Sequence, residues 1–162
     1  MRCYVDSSAL LKRVVDEHGA SDLRATLDML AATGATLMTS VIARVEVARA
    51  LRQAAAAERI AADEIADDCA GAFAGVDVVL LKPAVVQEAQ TAGGDLLRSP
   101  DAIHLATALV VGAEMVIAYD ERLLDACREA GMMTAQPGAL DATLPPGWEW
   151  VGEEPDDDEL PG

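Results

Sequence analysis

Short apolar segments with the pattern of β-strands alternate with longer helical segments, and this alternation constrains the fold more than any other feature of the chain. The predicted strands are Arg2–Val5, Thr36–Thr39, Val76–Leu81, Met115–Tyr119 and Met132–Ala135. Strands that are separated by helices usually pair in parallel, with the helices packed on the faces of the sheet. We therefore expect an α/β fold, a three-layer sandwich around a central, mainly parallel sheet.

Local signals indicate where several of these elements begin and how deeply they are buried. Three side chains are expected to cap helix N-termini: Ser40, Ser99 and Asp120. The segment Val76–Leu81 is almost entirely apolar, which predicts a strand that is buried on both faces. A helical run is expected over residues 59–72, ending near Gly71 and Gly75.

The length and composition predict one folded domain followed by an acidic extension. The chain has 162 residues, of which 52% are hydrophobic, and its net charge is −16. From Glu149 onward the sequence contains acids but no Lys or Arg. We place the domain at residues 1–137 and expect residues 138–162 to be an extension that is partly disordered. The rest of the chain is also acidic, which argues against broad affinity for nucleic acids.

Several functional classes are disfavoured by what the sequence lacks. No apolar stretch is long enough to cross a membrane, and the apolar run at the N-terminus is interrupted by Asp6. The three cysteines are Cys3, Cys69 and Cys127, and no CxxC pair occurs, so neither a zinc site nor a disulfide framework is indicated. We expect a cytoplasmic protein that does not bind membranes.

Carboxylates stand at four positions that an α/β fold brings toward one edge of its sheet. Asp6 and Asp120 each follow a predicted strand, Asp101 lies in the first turn of a helix, and Glu46 lies on another helix. Ligands of open parallel sheets bind at the carboxyl ends of the strands. Like charges brought together there need a cation, and oxygen donors suit Mg²⁺ or Mn²⁺. We therefore predict a metal site formed by these four acids.

Each acid also has a simpler structural explanation. Asp6 and Asp120 are suited to capping helices, Asp101 to the positive end of a helix, and Glu46 to an ion pair with Arg49 one turn away. The metal-site hypothesis therefore rests on the four occurring together. Basic residues are expected either to line a groove near the acids or to be scattered on the surface: Lys12, Arg13, Arg44, Arg49, Arg52 and Arg98. His104, one turn from Asp101, is expected to pack beside the site.

Four sequence strings carry a resemblance to a known family. They are YVDSSALLK near the start, TSVIARVEVARAL, SPDAIHLATAL and VIAYDERLLDAC. Together they resemble the PIN-domain nucleases, and most closely the VapC-type toxins of toxin–antitoxin pairs. The resemblance covers residues 1–137. The acidic extension beyond Pro137 is longer than this family leads us to expect.

The resemblance implies a PIN-like fold and a specific activity. Members of this family hold one or two Mg²⁺ or Mn²⁺ ions with acids that match Asp6, Glu46, Asp101 and Asp120, which also serve as their catalytic residues. They cleave single-stranded regions of RNA, often transfer RNA or ribosomal RNA. They form homodimers, and a cognate antitoxin protein blocks the site.

Three alternatives remain open at the level of sequence. An aspartyl phosphotransferase of the haloacid-dehalogenase kind needs a second Asp two positions after the nucleophile, and here that position is Ser8. A non-catalytic binding module would be expected to have lost one of the acids. A nuclease that cleaves DNA flaps or junctions would be expected to carry insertions that this chain lacks.

Overall fold

A five-stranded, all-parallel sheet with strand order β3-β2-β1-β4-β5 forms the centre of the molecule. The computed structural model describes residues 1–57, 64–94 and 97–139. Its strands are β1 (Arg2–Val5), β2 (Thr36–Ser40), β3 (Val76–Val79), β4 (Met115–Ile117) and β5 (Met133–Ala135). Its helices are α1 (Ser7–Lys12), α2 (Ala20–Ala32), α3 (Ala43–Ala56), α4 (Ile65–Ala72), α5 (Pro83–Ala89), α6 (Ser99–Val110) and α7 (Glu121–Glu129).

Two apolar cores, one on each face of the sheet, confirm the expected three-layer sandwich. Because side chains alternate along a strand, Cys3 and Val5 of β1 point into one core and Tyr4 points into the other. The first core packs β1 against α1–α4, with Leu23, Leu27 and Leu30 buried. The second packs the sheet against α5–α7. The sheet is parallel at every pairing.

The prediction that the third strand is buried on both faces was wrong. β3 ends at Val79, its side chains are exposed or half-buried, and it lies at the edge of the sheet. The next two residues, Leu80 and Leu81, have relative exposures of 64% and 41%. A short apolar run fits an edge strand as well as a central one, because composition does not reveal how many neighbours a strand has.

The helix-start predictions were partly confirmed. Asp120 caps α7 as expected, and its Oδ1 accepts hydrogen bonds from two backbone N–H groups, of Arg122 and Leu123. Ser40 instead ends β2, and α3 begins three residues later without a side-chain cap. Ser99 is the first residue of α6, whose cap position is Arg98. The sheet register therefore overrides local capping preference at Ser40.

Residues after β5 pack back onto the turn before α2. The hydroxyl of Tyr119 donates a hydrogen bond to the carbonyl oxygen of Pro137 at 2.6 Å. Gly138 lies so close to Gly19 that a Cβ on Gly138 would be 2.4 Å from the Gly19 Cα, which requires glycine. The proposed domain boundary at residue 137 stays a prediction. The predicted extension falls mainly on residues 140–162, outside the described residues, as do residues 59–63 of the predicted helix over 59–72.

Within the three described ranges, no helix combines the length and apolar character that crossing a bilayer demands.

Candidate active site

Asp6 stands at the carboxyl end of the central strand and is nearly buried. It follows β1 and caps α1, and its relative exposure is 4%. Its Oδ2 accepts hydrogen bonds from the Ser8 backbone N–H at 3.0 Å and from the Ser8 hydroxyl at 2.6 Å. Its backbone N–H donates to the Ile117 carbonyl oxygen at 2.9 Å. Ser8 of α1 therefore fixes the carboxylate of Asp6, and Ile117 of β4 fixes its backbone.

Ser8 connects the ends of the two central strands. Its hydroxyl donates to Asp6 and accepts a hydrogen bond from the Tyr119 backbone N–H at 3.0 Å. Tyr119 immediately precedes Asp120, the second acid that follows a strand end. The hydroxyl therefore holds the chain that enters α7 close to the chain that enters α1.

Glu46 and Asp6 share one histidine. His104 on α6 has a relative exposure of 1%, and its Nε2 lies 2.7 Å from the Glu46 Oε2 and 3.4 Å from the Asp6 Oδ1. Burial would lower the pKa of His104, but the hydrogen bond to Glu46 and the Asp6 charge raise it above its usual value. Burial would raise the pKa of Glu46, but the same hydrogen bond and the His104 charge lower it.

Tyr4 completes this cluster from inside the second core. Its hydroxyl lies 2.6 Å from the His104 Nδ1 and accepts a hydrogen bond from the Ser40 backbone N–H at 3.0 Å. Burial and the nearby Asp6 charge raise the pKa of the Tyr4 phenol far above its usual value. The phenol is therefore neutral, and both ring nitrogens of His104 have partners.

Asp101 is electrostatically coupled to both strand-end aspartates. It lies in the first turn of α6. Burial, and then the charges of Asp120 and Asp6, raise the pKa of Asp101 above its usual value. The Arg98 backbone N–H and the Arg122 guanidinium act in the opposite direction without cancelling the shift. Asp101 therefore lies within electrostatic range of both Asp120 and Asp6.

Asp120 occupies the outer side of this group. Besides capping α7, its Oδ2 lies 3.7 Å from the Nη2 of Arg122, which is half-exposed. This distance is long for an ion pair between exposed side chains, and such pairs contribute about 0–1 kcal/mol. The backbone N–H groups of α7 are therefore its main partners.

The donor set suits a hard divalent cation, although the acids are not closed around one here. Within residues 1–57, 64–94 and 97–139, no three Asp, Glu, His or Cys side chains are arranged as a ready metal site. The repulsion at Asp101 is what a divalent ion would relieve, and carboxylate oxygens are the ligands that Mg²⁺ prefers. The Ser40 hydroxyl, buried at the end of β2, has no hydrogen-bond partner in the described chain. The types of donor therefore fit such a cation, whereas their arrangement in the described residues does not form a ready site.

Three of the six basic residues that were considered for a groove have local structural contacts. Lys12 donates to the His18 carbonyl oxygen and pairs with Glu17. Arg13 donates to the carbonyl oxygens of Ala72 and Ala74, which fastens α1 to the end of α4. The exposed Arg44 places its guanidinium 5.1 Å from the centre of the Phe73 ring. The other three are exposed on or before the helices that carry the acids: Arg49, Arg52 and Arg98.

The PIN domain family profile matches residues 3–129, which include all four acids. The chain belongs to this family. A relative, ribonuclease VapC47 of Mycobacterium tuberculosis (strain CDC 1551 / Oshkosh), is 37% identical over 140 residues, 85% of this chain and 98% of that protein. Ribonuclease VapC46 of M. tuberculosis (strain ATCC 25618 / H37Rv) is 35% identical over 139 residues, 83% of this chain and 96% of that protein. Within the PIN family, the chain is therefore a VapC-type ribonuclease.

Solved structures agree with the fold. A crystal structure of VapBC2 from Rickettsia felis, bound to a DNA fragment from its promoter, contains a chain that matches with a TM-score of 0.65 at 9% identity. That match covers 83% of this chain and 97% of the other. PAE2754 from Pyrobaculum aerophilum matches with a TM-score of 0.60 at 20% identity and covers 83% of each chain. At these identities the likeness confirms the PIN-like fold alone.

Sequence reasoning did not identify the residues that hold the acids in place. Tyr4, Ser8 and Arg122 were not considered as parts of the site, and Glu46 pairs with His104 where Arg49 had been the alternative. Tyr4 carries a usable signal, because a buried tyrosine in a central strand needs a partner for its hydroxyl. The phosphotransferase alternative was wrong, because the chain matches the PIN family. Two positions after Asp6, where that mechanism needs a second aspartate, the chain has Ser8, which is hydrogen-bonded to Asp6.

Proposed function

We propose that this VapC-type ribonuclease is a divalent-metal-dependent endoribonuclease, the toxin of a toxin–antitoxin pair, whose catalytic and metal-binding residues are Asp6, Glu46, Asp101 and Asp120. The observation that carries the proposal is that Asp6 and Glu46, from different elements, both lie against the His104 Nε2, on the helix whose first turn contains Asp101. It supports the idea that acids from separate elements serve one site.

The proposed cation is Mg²⁺ or Mn²⁺, with Asp6 and Asp101 as central ligands and Glu46 and Asp120 in supporting positions. When bound, such an ion lowers the pKa of water and neutralises charge that develops at phosphorus. The ion would also offset the charges of Asp120 and Asp6, which add to the effect of burial in raising the pKa of Asp101.

Asp101, in the first turn of α6, is the residue that we assign to orient the attacking water. The Asp6 carboxylate, fixed by two hydrogen bonds from Ser8, supplies a rigid reference point. Hydrolysis of the phosphodiester bond by this water would leave a 5′-phosphate and a 3′-hydroxyl.

The proposed substrate is a single-stranded region of transfer RNA or ribosomal RNA, in the cytoplasm. Phosphate needs positive charge, and exposed arginines on the helix that bears Glu46 offer it: Arg44, Arg49 and Arg52. The proposed partners are a second copy of the chain and a cognate antitoxin. The complex named in the R. felis structure supports an antitoxin partner.

A cleavage assay tests the proposal directly. Purified protein is incubated with total RNA in Mg²⁺, Mn²⁺ or EDTA, and new 5′ ends are mapped. We expect cuts at a small number of single-stranded sites that require the metal and that Asp6→Asn abolishes. Near wild-type cleavage by Asp6→Asn, or cleavage that persists in EDTA, would contradict the assignment.

The same samples separate an enzyme from a non-catalytic binding module. A module would bind RNA without producing new 5′ ends, and Mn²⁺ would not stabilise its fold. A metal that binds only the folded state must stabilise it. A generic phosphomonoester serves as the negative control substrate, and a DNA flap tests the remaining nuclease alternative.

A further inference from the structure

His104 is more completely enclosed than any of the four acids and has a partner at each ring nitrogen. Its relative exposure is 1%, compared with 4% for Asp6 and a half-buried Glu46. Its Nδ1 faces the Tyr4 hydroxyl at 2.6 Å, and its Nε2 faces Glu46 at 2.7 Å and Asp6 at 3.4 Å. The ring therefore cannot turn over without breaking contacts on both sides.

The Tyr4 hydroxyl keeps a proton on Nε2 in either charge state of the ring. A phenol can both donate and accept, and the Ser40 backbone N–H already occupies one lone pair of this oxygen. When His104 is neutral, the phenol donates to Nδ1, so Nε2 carries the proton. When His104 is charged, both nitrogens carry one. An N–H group consequently points at Glu46 and Asp6 in both cases.

This chain of contacts fixes a mobile carboxylate to rigid backbone. The Glu46 side chain keeps 32% of its exposure, so its terminal torsions have freedom that only a partner removes. The contacts run from the backbone of β2, through Tyr4 on β1 and His104 on α6, to Glu46 on α3. Groups that orient a metal ligand from behind typically change metal affinity by about 10–100-fold when removed.

We infer that Tyr4 and His104 are positioning residues, which hold the carboxylates of Glu46 and Asp6 in a fixed relation and thereby set the affinity of the site for its divalent cation. This inference rests on the proposed function. Neither residue is assigned a proton-transfer step, and neither is a ligand. The role follows from the hydrogen-bond geometry alone.

The chain contains two histidines and two tyrosines, which provide internal controls. His18 is exposed, so proton exchange between its ring nitrogens and water serves as the reference for His104. Tyr119 also makes one hydroxyl hydrogen bond of 2.6 Å, but to the Pro137 carbonyl oxygen. Tyr119→Phe therefore removes the same group as Tyr4→Phe and leaves the contacts of His104 intact.

The first experiment observes the metal-free protein by NMR with ¹⁵N-labelled histidine. We expect the His104 Nε2 to carry a proton that exchanges slowly with water, whereas the His18 nitrogens average with solvent. Tyr4→Phe should shift the Nδ1 signal and speed Nε2–H exchange, and Tyr119→Phe should do neither. Unchanged His104 signals in Tyr4→Phe would overturn the inference.

The second experiment measures Mn²⁺ affinity by titration calorimetry. Tyr4→Phe and His104→Leu should weaken it by about 10–100-fold, and His104→Gln should recover part of the loss because its amide retains an N–H donor. If His104→Leu does not fold, the test uses the Mn²⁺ affinity of Tyr4→Phe and its His104 NMR signals. Wild-type Mn²⁺ affinity in Tyr4→Phe or His104→Leu would overturn the positioning role while the proposed function stands. A wild-type protein that neither binds Mn²⁺ nor cleaves RNA would remove both.

Discussion

The two pairs of acids at the sheet edge are held in different ways. The inner pair, Asp6 and Glu46, faces a buried histidine, and side chains from three other residues fix it: Tyr4, Ser8 and His104. The outer pair, Asp101 and Asp120, sits at the first turns of two helices, with backbone N–H groups and the half-exposed Arg122 as partners. The inner charges are offset within the protein, whereas repulsion at the outer pair remains.

This difference indicates where a cation is most needed. The pKa of Glu46 is lowered and that of Asp101 is raised, so the protein favours the charged form of one acid and disfavours that of the other. A metal bound among the four acids would therefore relieve charge repulsion chiefly at Asp101. The following tests, from the largest expected effect to the smallest, sharpen or break this comparison.

Asp101→Asn should reduce the rate of RNA cleavage by more than about 100-fold, since even groups behind a ligand cost about 10–100-fold. The change removes a proposed central metal ligand that also orients the attacking water. The measurement is the initial rate on a single-stranded RNA in Mg²⁺. Asp125→Asn, which alters an exposed aspartate paired with Arg128, is the control and should stay near wild type. A mild loss in Asp101→Asn would contradict the assignment of Asp101 as a central ligand.

Mn²⁺ should stabilise the wild-type fold and fail to stabilise Asp101→Asn. At 100 times its dissociation constant, a ligand of the folded state contributes about 2.7 kcal/mol. For a chain of this size that corresponds to a rise in Tm of roughly 5–10 °C, which EDTA should reverse. Thermal unfolding with and without Mn²⁺ measures it. An equal rise in both proteins would place the cation elsewhere.

Without metal, substitutions in the two pairs should change stability in opposite directions near neutral pH. Asp6→Ala removes the acceptor of two Ser8 hydrogen bonds and should lower the free energy of unfolding by about 1–3 kcal/mol. Asp101→Asn removes repulsion and should raise it. Urea unfolding in EDTA measures both. A loss of stability in both variants would show that the outer pair is offset as well as the inner one.

The pH dependence isolates the Asp101 contribution. Because its pKa is raised in the folded state, the folded protein binds that proton more tightly than the unfolded chain does. Wild-type stability should therefore fall as pH rises from the unfolded pKa through the folded one, and Asp101→Asn should lack this decline. Glu46, with a lowered pKa, contributes stability that is lost as pH falls through its folded value, in both proteins alike.

Arg122→Gln should have the smallest effect. Its guanidinium is half-exposed and 3.7 Å from Asp120, so its loss should change stability by less than about 1 kcal/mol. Mn²⁺ affinity should rise slightly, because a competing positive charge is removed, and the rise should shrink at high ionic strength. A large loss of affinity would instead assign Arg122 a role in holding the site.

The sequence was sufficient to predict the sheet and the elements that present the acids. Strand bounds such as Arg2–Val5 and the Asp120 cap depend on local patterns, and the structure confirms them. The role of β3 as an edge strand depends on which strands pair, and no local pattern encodes that pairing. Ser40 shows the same limit, because its backbone N–H is bonded to Tyr4, which lies 36 residues away in the chain.

The contacts that hold the acids were harder to predict for the same reason. Asp6, Asp101 and Asp120 stand at positions that the alternation of strands and helices identifies directly. The pairing of Glu46 with His104 spans 58 residues and depends on how α3 and α6, from opposite faces of the sheet, meet at its edge. From the sequence alone, Arg49 one turn away is an equally reasonable partner. That the four acids form one metal site stays a prediction.

The position of β1 at the centre of the sheet also determines when this site forms during synthesis. Asp6 is made before the other three acids, but the backbone oxygen that accepts its N–H belongs to Ile117, and the Ser8 hydroxyl accepts from a backbone N–H 111 residues further on. A chain that emerges from the ribosome N-terminus first carries β1 with one side unpaired until β4 follows. The fourth acid, Asp120, emerges later still, so the complete site cannot form until Asp120 has left the ribosome.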